Sequence, residues 1–368
     1  MNIFILAGEP SGDEYGAKII KNMLSINPEV NFFGIGGSLM EKEGLQSMVN
    51  FNKMSVMGFI EIIKTLPFFL SLEKRIIKNI QEKKPDKIIL IDYPGLNLRL
   101  CKKIKENVKT QIYYYISPQV WAWKEKRIET IKKYVDKMIV IFDFERNWYN
   151  KKNINVEYFG HPFLDVWEKN NTQNFIDNNN INSSKPILTL FPGSREQEVN
   201  KHLTIMIEAA LIVKKNIPDL QIIIGLHQNI QLNNINISDD IIIIRQDTLK
   251  ALEIADGAII ASGTATLQSA IMNTPAIVIY KMNKLSWLLA KNYVKVKFVS
   301  IVNIIANQEV FPELLQEKAT SKNMAEKMMK IINDENYNNH IKKQLKALQK
   351  TIGEAGASKK IAKFILKS

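Results

Sequence analysis

The chain contains few of the residues on which several classes of function depend. Its single cysteine, Cys101, excludes an intrachain disulfide framework and a cysteine-rich zinc site. Apolar residues surround Cys101 at helical spacing, so we expect a small core residue there. The four histidines lack the spacing of a metal site, and neither H-E-x-x-H nor D-x-D occurs. We therefore expect no bound metal and no cofactor.

Long hydrophobic runs are also missing. A spanning helix needs roughly 20 apolar residues, and the longest candidate, residues 57–72, is interrupted by Glu61, Lys64 and Pro67. The apolar start at residues 1–6 is shorter than the core of a signal peptide, and no charged segment precedes it. We expect a protein of the reducing cytosol that is not integral to a membrane.

The charge balance is strongly basic, with a formal net charge of +13 and no long basic block. Such a charge suits an anionic lipid surface, a phosphorylated substrate or nucleic acid, and by itself it does not choose among them. With 46% hydrophobic residues in 368, the chain can bury substantial cores, and its length favours two domains over one.

Segments of strand and helix character alternate along most of the chain, which predicts α/β domains with parallel sheets. Residues 1–168 form the first series. Residues 169–185 are rich in asparagine and poor in apolar side chains, so we expect a linker or surface loop. A second series occupies residues 186–350, and residues 351–368 predict an amphipathic helix that packs back on the first domain. We infer two doubly wound, Rossmann-like domains facing one cleft.

Two strand–turn–helix connections in the second series point to a nucleotide diphosphate. Gly193 and Ser194 form a turn after one strand, and Arg195 adds a guanidinium beside it. The turn Ser262–Gly263–Thr264 leads from another strand into a helix. A helix N-terminus presents unpaired N–H groups and partial positive charge, which favour phosphate. The alternative is that both are ordinary connections of an α/β fold.

The first series places polar groups after its strands. Asp92 follows a buried strand, where it can accept a proton from a substrate hydroxyl or simply form a turn before Pro-Gly. The loop after the first strand suits a sugar or phosphate, or is a capped turn. The residues of that loop are Gly8, Glu9, Ser11, Gly12 and Asp13. His161 lies at another strand end, in a cleft or in a structural role.

Two aromatic segments allow contrasting interpretations. The loop at residues 117–124 carries Trp121, Trp123 and Lys124. Its aromatic rings, interleaved with a cation, could stack on bases, but a semi-rigid loop that supports the cleft is the favoured interpretation. Residues 54–72 form either helices that cover the sheet or an exposed apolar surface for acyl chains and a membrane interface. For that surface we single out four side chains, flanked by basic residues: Met57, Phe59, Phe68 and Phe69.

Read together, several segments resemble the lipid-A-disaccharide synthase family of GT-B glycosyltransferases, nearly from end to end. They are AGEPSGDEYGA at residues 7–17, VMGFIEI at 56–62, IDYPGLN at 91–97, YISPQVWAWKEKR at 115–127, FGHPF at 159–163, LFPGSREQEV at 190–199, ASGTATLQ at 261–268 and FVSIVNIIANQEVFPELLQ at 298–316. SPQVWAWK and VSIVNIIANQ are highly particular to that family.

The resemblance implies transfer of 2,3-diacylglucosamine from UDP to the 6-hydroxyl of 2,3-diacylglucosamine 1-phosphate, with inversion and without a metal. Asp92 would be the base. Arg195, the helix beginning at Thr264, and Asn303 would stabilise the departing diphosphate, and Gln268 would contact the ribose. The acylated substrates, the apolar segment at residues 54–72 and the positive net charge predict peripheral attachment to the anionic inner membrane from the cytoplasm. The two strand–turn–helix sites argue against a nucleic acid partner, and the family precedent favours a homodimer.

Two positions depart from the family pattern. Gln268 stands where the family usually has glutamate, which removes a charge from the ribose contact. Gly95 stands where some relatives have a second aspartate, which leaves Asp92 as the only carboxylate of its loop. Three alternatives stay open: another GT-B enzyme such as a UDP-N-acetylglucosamine epimerase or polyprenyl-sugar transferase, a non-catalytic lipid- or nucleotide-binding protein, and a nucleic-acid binder.

Overall fold

The computed structural model describes residues 1–51, 54, 61–167, 169, 171–228, 230–232, 235–282 and 297–368, with the backbone alone for 61–66. The chain divides into two compact units. Unit 1 comprises Met1–Glu168 and Ile352–Ser368, and unit 2 comprises Lys169–Thr351.

Unit 1 is built on a parallel sheet with the strand order β3-β2-β1-β4-β5-β6-β7. Its strands are β1 Asn2–Ala7, β2 Asn31–Ile35, β3 Leu45–Ser47, β4 Lys87–Ile91, β5 Gln111–Tyr115, β6 Lys137–Val140 and β7 Val156–Tyr158. Its helices before residue 168 are α1 Pro10–Ile26, α2 Ser38–Lys42, α3 Glu61–Lys83, α4 Pro94–Asn107, α5 Arg127–Tyr134, α6 Asp143–Asn150 and α7 Phe163–Val166.

Successive side chains of the central strands enter opposite faces of this sheet, and both faces are apolar. Phe4 and Leu6 of β1 join the core cluster that includes residues of α3 and α4. Ile3 and Ile5 join the cluster on the other face, which includes residues of α1. A parallel sheet covered on both faces needs such continuous apolar runs, which is why these strands were legible in the sequence.

Unit 2 contains a second parallel sheet, in the order β10-β9-β8-β11-β12-β13. Its strands are β8 Ile187–Phe191, β9 Gln221–Gly225, β10 Ile241–Ile244, β11 Gly257–Ala261, β12 Ala276–Tyr280 and β13 Glu313–Leu315. Its helices are α8 Gln173–Asn178, α9 Glu196–Asn216, α10 Thr248–Glu253, α11 Thr264–Ile271, α12 Ile301–Ala306, α13 Ser321–Asn333 and α14 Glu335–Ile352, and a 3₁₀ turn spans Gln316–Lys318. The last helix of the chain, α15 Ala357–Lys367, belongs to unit 1.

The asparagine-rich segment 169–185 differs from the expected linker. It forms α8, and Phe175, Ile176 and Ile181 are buried with residues of β8, β9 and β10. The segment has the overall composition of a loop, which is why the sequence predicted one. Its three buried apolar side chains are nevertheless enough to anchor it to unit 2. Within the described ranges, no helix is long and apolar enough to cross a membrane.

The strand orders place one reversal point in each sheet. In unit 1, β2 and β3 lie on one side of β1, and β4 to β7 lie on the other. The strands β1 and β4 are therefore neighbours, with Ala7 beside Ile91. In unit 2, β8 and β11 have the same relation, with Phe191 beside Ile260. Ligands of open α/β sheets bind beyond the carboxyl ends of the strands at such points. The loops at those four ends are the ones singled out from the sequence.

Candidate active site

Asp92 follows β4 in a tightly fixed and strained turn. Asp92 and Tyr93 have φ values of 46° and 47°, which place two consecutive non-glycine residues in the left-handed region. The N–H of Asp92 donates to the Tyr115 carbonyl at 2.8 Å. Its carbonyl accepts from the Tyr114 hydroxyl at 2.7 Å and from Asn97 Nδ2 at 2.8 Å. Strain held in place by the surrounding structure is typical of functional sites.

The surroundings of the Asp92 carboxyl favour its protonated form. Burial raises its pKa to about 7, the negative charge of Glu9 adds to the rise, and a hydrogen bond from the Tyr93 N–H opposes it. A general base is most effective when its pKa lies near the working pH. Asp92 therefore has the protonation behaviour of a base that accepts a proton near neutrality.

The loop after β1 lies directly beside this turn. A Cβ on Gly8 would lie 2.6 Å from the Tyr93 ring, so only glycine lets that ring pack here. Glu9 and Ser11 are half-buried, and Gly12 is buried against Ala7. Glu9 acts on the Asp92 carboxyl through its charge. The structure thus brings Gly8 and Glu9 together with Asp92, as the strand order requires.

Asp13 is a structural residue, and the expectation that it contacts sugar or phosphate is wrong. Its carboxylate is buried and accepts from three backbone N–H groups of α2 and the turn before it, those of Gly37, Leu39 and Met40, at 2.7, 3.2 and 3.1 Å. These contacts satisfy the unpaired N–H groups at the start of α2. The oxygens of the Asp13 carboxylate are thus already used as acceptors within unit 1.

His161 is likewise buried, with 2% of its surface exposed, which favours the structural role over the cleft position. Its Nδ1 accepts from the Phe163 N–H at 3.2 Å, and its ring lies 5.2 Å from that of Phe142. Burial lowers its pKa to about 3. A neutral imidazole that fixes a turn is a core residue.

Glu145 is a buried carboxyl that the sequence did not single out. It accepts from Trp121 Nε1 at 3.0 Å and from the N–H groups of Ile141 and Phe142 at 3.3 and 3.2 Å. Burial raises its pKa to about 7, and the charge of Asp92 contributes to the rise. Glu145 therefore anchors the tryptophan loop in the electrostatic neighbourhood of Asp92.

In unit 2, the turn after β8 is occupied by a carboxylate of its own chain. Glu198 Oε2 accepts from the Ser194 N–H at 3.2 Å, and Glu198 Oε1 lies 3.7 Å from Arg195 Nη1. A Cβ on Gly193 would lie 2.6 Å from Glu198 Oε2, and Gly193 has φ of 129°. Only glycine fits that conformation and that close approach. In this structure the turn thus holds a carboxylate of its own chain.

His202, one turn further along α9, holds this loop in position. It is fully buried, its Nδ1 lies 2.9 Å from the Pro192 carbonyl, and its Nε2 accepts from the Lys281 N–H at 3.1 Å. With Nε2 accepting, Nδ1 carries the proton and donates to Pro192. The imidazole thus ties the turn after β8 to the end of β12.

The turn after β11 presents the N-terminus of α11. The Ser262 N–H donates to the Ile279 carbonyl at 2.9 Å, and Thr266 Oγ1 donates to the Gly263 carbonyl at 2.8 Å. Gly263 and Thr264 are exposed, and Gln268 is half-buried one turn along the helix. The first N–H groups of a helix lack partners within it, so this turn can accept an anion.

Asn303 does not contact a ligand, and its assignment to the donor site is wrong. It is fully buried. Its Nδ2 donates to the Phe311 carbonyl and to Glu313 Oε1 at 2.8 and 2.9 Å, and its Oδ1 accepts from the N–H groups of Val310 and Phe311. All four hydrogen-bonding positions of the amide are used. Asn303 shapes the loop between α12 and β13.

The apolar segment is described only in part. Met57 and Phe59 lie outside the described residues. Phe68 is half-buried, and Phe69 is 6% exposed within the core of unit 1. The expectation of an exposed Phe69 is therefore wrong, because this side of α3 covers the sheet. Leu70, the next residue, is 47% exposed.

The sequence as a whole matches one family. A family model described as Lipid-A-disaccharide synthetase matches residues 3–365. The chain belongs to this family. A lipid-A-disaccharide synthase of Coxiella burnetii (strain CbuG_Q212) is 36% identical over 367 residues, covering 99% of this chain and 97% of the relative. Lipid-A-disaccharide synthase 1 of Legionella pneumophila (strain Paris) is 32% identical over 364 residues, covering 96% and 94%.

Solved structures of low sequence identity share the fold. S. aureus MnaA in complex with UDP gives a TM-score of 0.68 at 12% identity, covering 100% of this chain and 96% of that one. Spinosyn rhamnosyltransferase SpnG gives 0.61 at 6% identity, covering 99% of each chain. The predicted α/β, GT-B fold class is confirmed, and so is the recognition of the lipid-A-disaccharide synthase family. The chain is a glycosyltransferase of lipid A biosynthesis.

Proposed function

We propose that this enzyme transfers 2,3-diacylglucosamine from UDP to the 6-hydroxyl of 2,3-diacylglucosamine 1-phosphate, giving a β(1→6) disaccharide and UDP. The single observation that carries the proposal beyond family membership is Asp92. It combines a strained turn, the end of a strand at the reversal point of the sheet and a pKa raised to about 7.

Asp92 is the general base of this reaction. As the acceptor oxygen attacks the anomeric carbon, the proton of the 6-hydroxyl passes to the Asp92 carboxylate. The bond from the anomeric carbon to the diphosphate oxygen breaks, and its electron pair leaves with UDP. Attack from the opposite face inverts the anomeric centre. Burial raises the pKa of this base to about 7, and the charge of the half-buried Glu9 adds to the rise.

The departing diphosphate is stabilised from unit 2. Gly193, Ser194 and Arg195 supply a close backbone approach, an N–H group and a guanidinium, and the turn Ser262–Gly263–Thr264 supplies the N-terminus of α11. Donors fixed in this way stabilise charge that develops on a leaving group. Gln268, on the first turns of the same helix, contacts the ribose. The diphosphate and the Glu198 carboxylate compete for the same Ser194 N–H.

The acylated substrates place the reaction at a membrane surface. We assign the enzyme to the cytoplasmic side of the inner membrane, bound peripherally to anionic lipid and acting as a homodimer. The net charge of +13 favours an anionic surface. Exposed Leu70 lies near exposed Lys74 and Arg75 on α3, and this combination of apolar and basic side chains is typical of interfacial attachment.

Incubation with UDP-diacylglucosamine and the acyl sugar phosphate, followed by assay of UDP release and of the disaccharide, tests the proposal. Both products must appear together, and neither may form with UDP-N-acetylglucosamine alone. Conversion of UDP-N-acetylglucosamine without an acceptor would instead identify an epimerase. Binding of both substrates without UDP release would identify a non-catalytic lipid- or nucleotide-binding protein.

A further inference from the structure

A basic pair lies on the tryptophan loop of unit 1, and the reaction as described so far gives it no role. Lys124 Nζ lies 4.5 Å from the centre of the Trp123 ring, and Arg127 Cζ lies 5.5 Å from it. The Arg127 N–H donates to the Lys124 carbonyl at 3.0 Å, so both cations come from one turn. Trp123 is 42% exposed. The three side chains form a platform that solvent reaches.

The basic pair has no acidic partner in the described part of the chain. The intervening Glu125 is engaged with Lys152 at 2.7 Å. Burial lowers the pKa of both Lys124 and Arg127, and for Lys124 the charge of Arg127 adds to the effect. Lys124 also has φ of 53°, in the left-handed region. Two like charges held together on a strained backbone are unfavourable until an anion joins them.

The platform belongs to the same end of the sheet as Asp92. The loop leaves β5, which pairs with β4 so that Tyr115 lies beside Ile91. The buried Tyr114 hydroxyl donates to the Asp92 carbonyl at 2.7 Å, and the positive charge of Arg127 acts on that hydroxyl. Arg127 and the proposed base are thus linked through one tyrosine of unit 1.

We propose that Lys124 and Arg127, seated on Trp123, bind the 1-phosphate of the acceptor. This inference rests on the proposed function and names the group that selects its acceptor. The 1-phosphate and the carbon that bears the 6-hydroxyl are attached to the two ring carbons that flank the ring oxygen, so a cationic site near Asp92 can hold the phosphate while the hydroxyl meets the base. The guanidinium suits two phosphate oxygens, and the ammonium adds a point charge.

The test compares two acceptors that differ only in the 1-phosphate. With the phosphorylated acceptor, Lys124→Ala and Arg127→Ala should each raise the acceptor KM about 10- to 100-fold, because each removes a charge-assisted contact. The KM for the UDP-sugar and the kcat should change little. With the dephosphorylated acceptor the variants should match the wild type. Arg127→Lys should recover only part of the loss.

Lys133→Ala is the matched control. Lys133 is exposed at the other end of α5 and lies over the ring of Tyr134 at 5.3 Å, so the change removes an equal charge and a similar ring contact. It should leave the preference for the phosphorylated acceptor intact. Equal losses with both acceptors in the Lys124 and Arg127 variants would overturn the proposal, since they would indicate a structural role.

Two further measurements separate the sources of phosphate and the two proposals. Loss of binding to vesicles containing phosphatidylglycerol, with acceptor preference unchanged, would assign the pair to the membrane surface and refute the acceptor site. Binding of both acceptors in detergent without the donor requires no turnover. Preference for the phosphorylated form without UDP release would refute the proposed reaction and retain the site. UDP release without that preference would retain the proposed reaction and refute the phosphate site.

Discussion

Replacing Asp92 by Asn should move activity and stability in opposite directions. The neutral amide keeps the shape of the side chain but cannot accept the proton, and a positioned base contributes about 10²- to 10⁴-fold to the rate. In the wild type, kcat/KM should fall about tenfold for each pH unit below 7, because the base works only when ionised and its pKa is raised to about 7.

The stability change follows from the same pKa. The native state holds the proton on Asp92 up to about pH 7, whereas an unfolded chain releases it near the ordinary value of 3.8. The ionised carboxylate therefore destabilises the native state above pH 7, and this cost disappears below about pH 4. A shift of about three units sets a ceiling of about 4 kcal/mol. Because Asp92 is only half-buried, we expect Asp92→Asn to stabilise by about 2 kcal/mol at pH 8.

The assay combines pH–rate profiles of UDP release with urea unfolding at pH 4 and pH 8. Glu9→Gln adds an internal check, since removal of its charge should shift the acid limb of the profile to lower pH while the base remains in place. Glu82→Gln, at an exposed site on α3, should leave the limb unmoved. Near-normal turnover of Asp92→Asn, or an equal stability change at both pH values, would refute the reasoning.

Four other residues give separate predictions. Arg195→Ala should weaken UDP binding measured by calorimetry, and Arg195→Lys should restore only part of it because the two-pronged contact is lost; unchanged affinity would make the residue structural. Asp13→Ala should lower the free energy of unfolding by about 2–3 kcal/mol, since three N–H groups lose their acceptor in hydrogen bonds of which two are buried, and an unaltered urea midpoint would contradict this. Leu70→Ser should reduce vesicle binding while the urea midpoint stays unchanged. Phe69→Ser should instead lower that midpoint, because Phe69 is in the core; the opposite pattern would place the membrane contact elsewhere.

Much of the fold could be predicted from the sequence, because the fold depends on continuous apolar strands and on the turns that follow them. The strands before Asp92, Gly193 and Ser262 are buried on both faces, so their composition was distinctive. The strands β3 and β13 are only three residues long and carry little pattern of their own. The helix α8 was missed because asparagine outnumbered its few apolar anchors.

For the candidate site, the sequence predicted which loops contribute but not which residues of each loop lie in the site. Glu9 and Asp13 look alike in the sequence, yet one lies beside Asp92 and the other caps α2, a distinction that depends on tertiary packing. Asn303 was assigned to the donor site through the family resemblance, whereas its amide makes all its hydrogen bonds within its own segment. Glu198 and His202 carried a usable signal, since residues four apart lie on one face of a helix and both could reach the turn before α9.

The return of the chain's last helix to unit 1 bears on the order in which the protein is made. Ile361, Ala362 and Ile365 of α15 complete the core on the face of the sheet that carries α1. The carboxylate of Asp165 accepts from the N–H groups of Gly356, Ala357 and Ser358 and so fixes the start of that helix. On the ribosome, unit 2 emerges whole before unit 1 has all its parts. The core of unit 1 therefore cannot be complete until its last helix has been made, some 190 residues after Asp165.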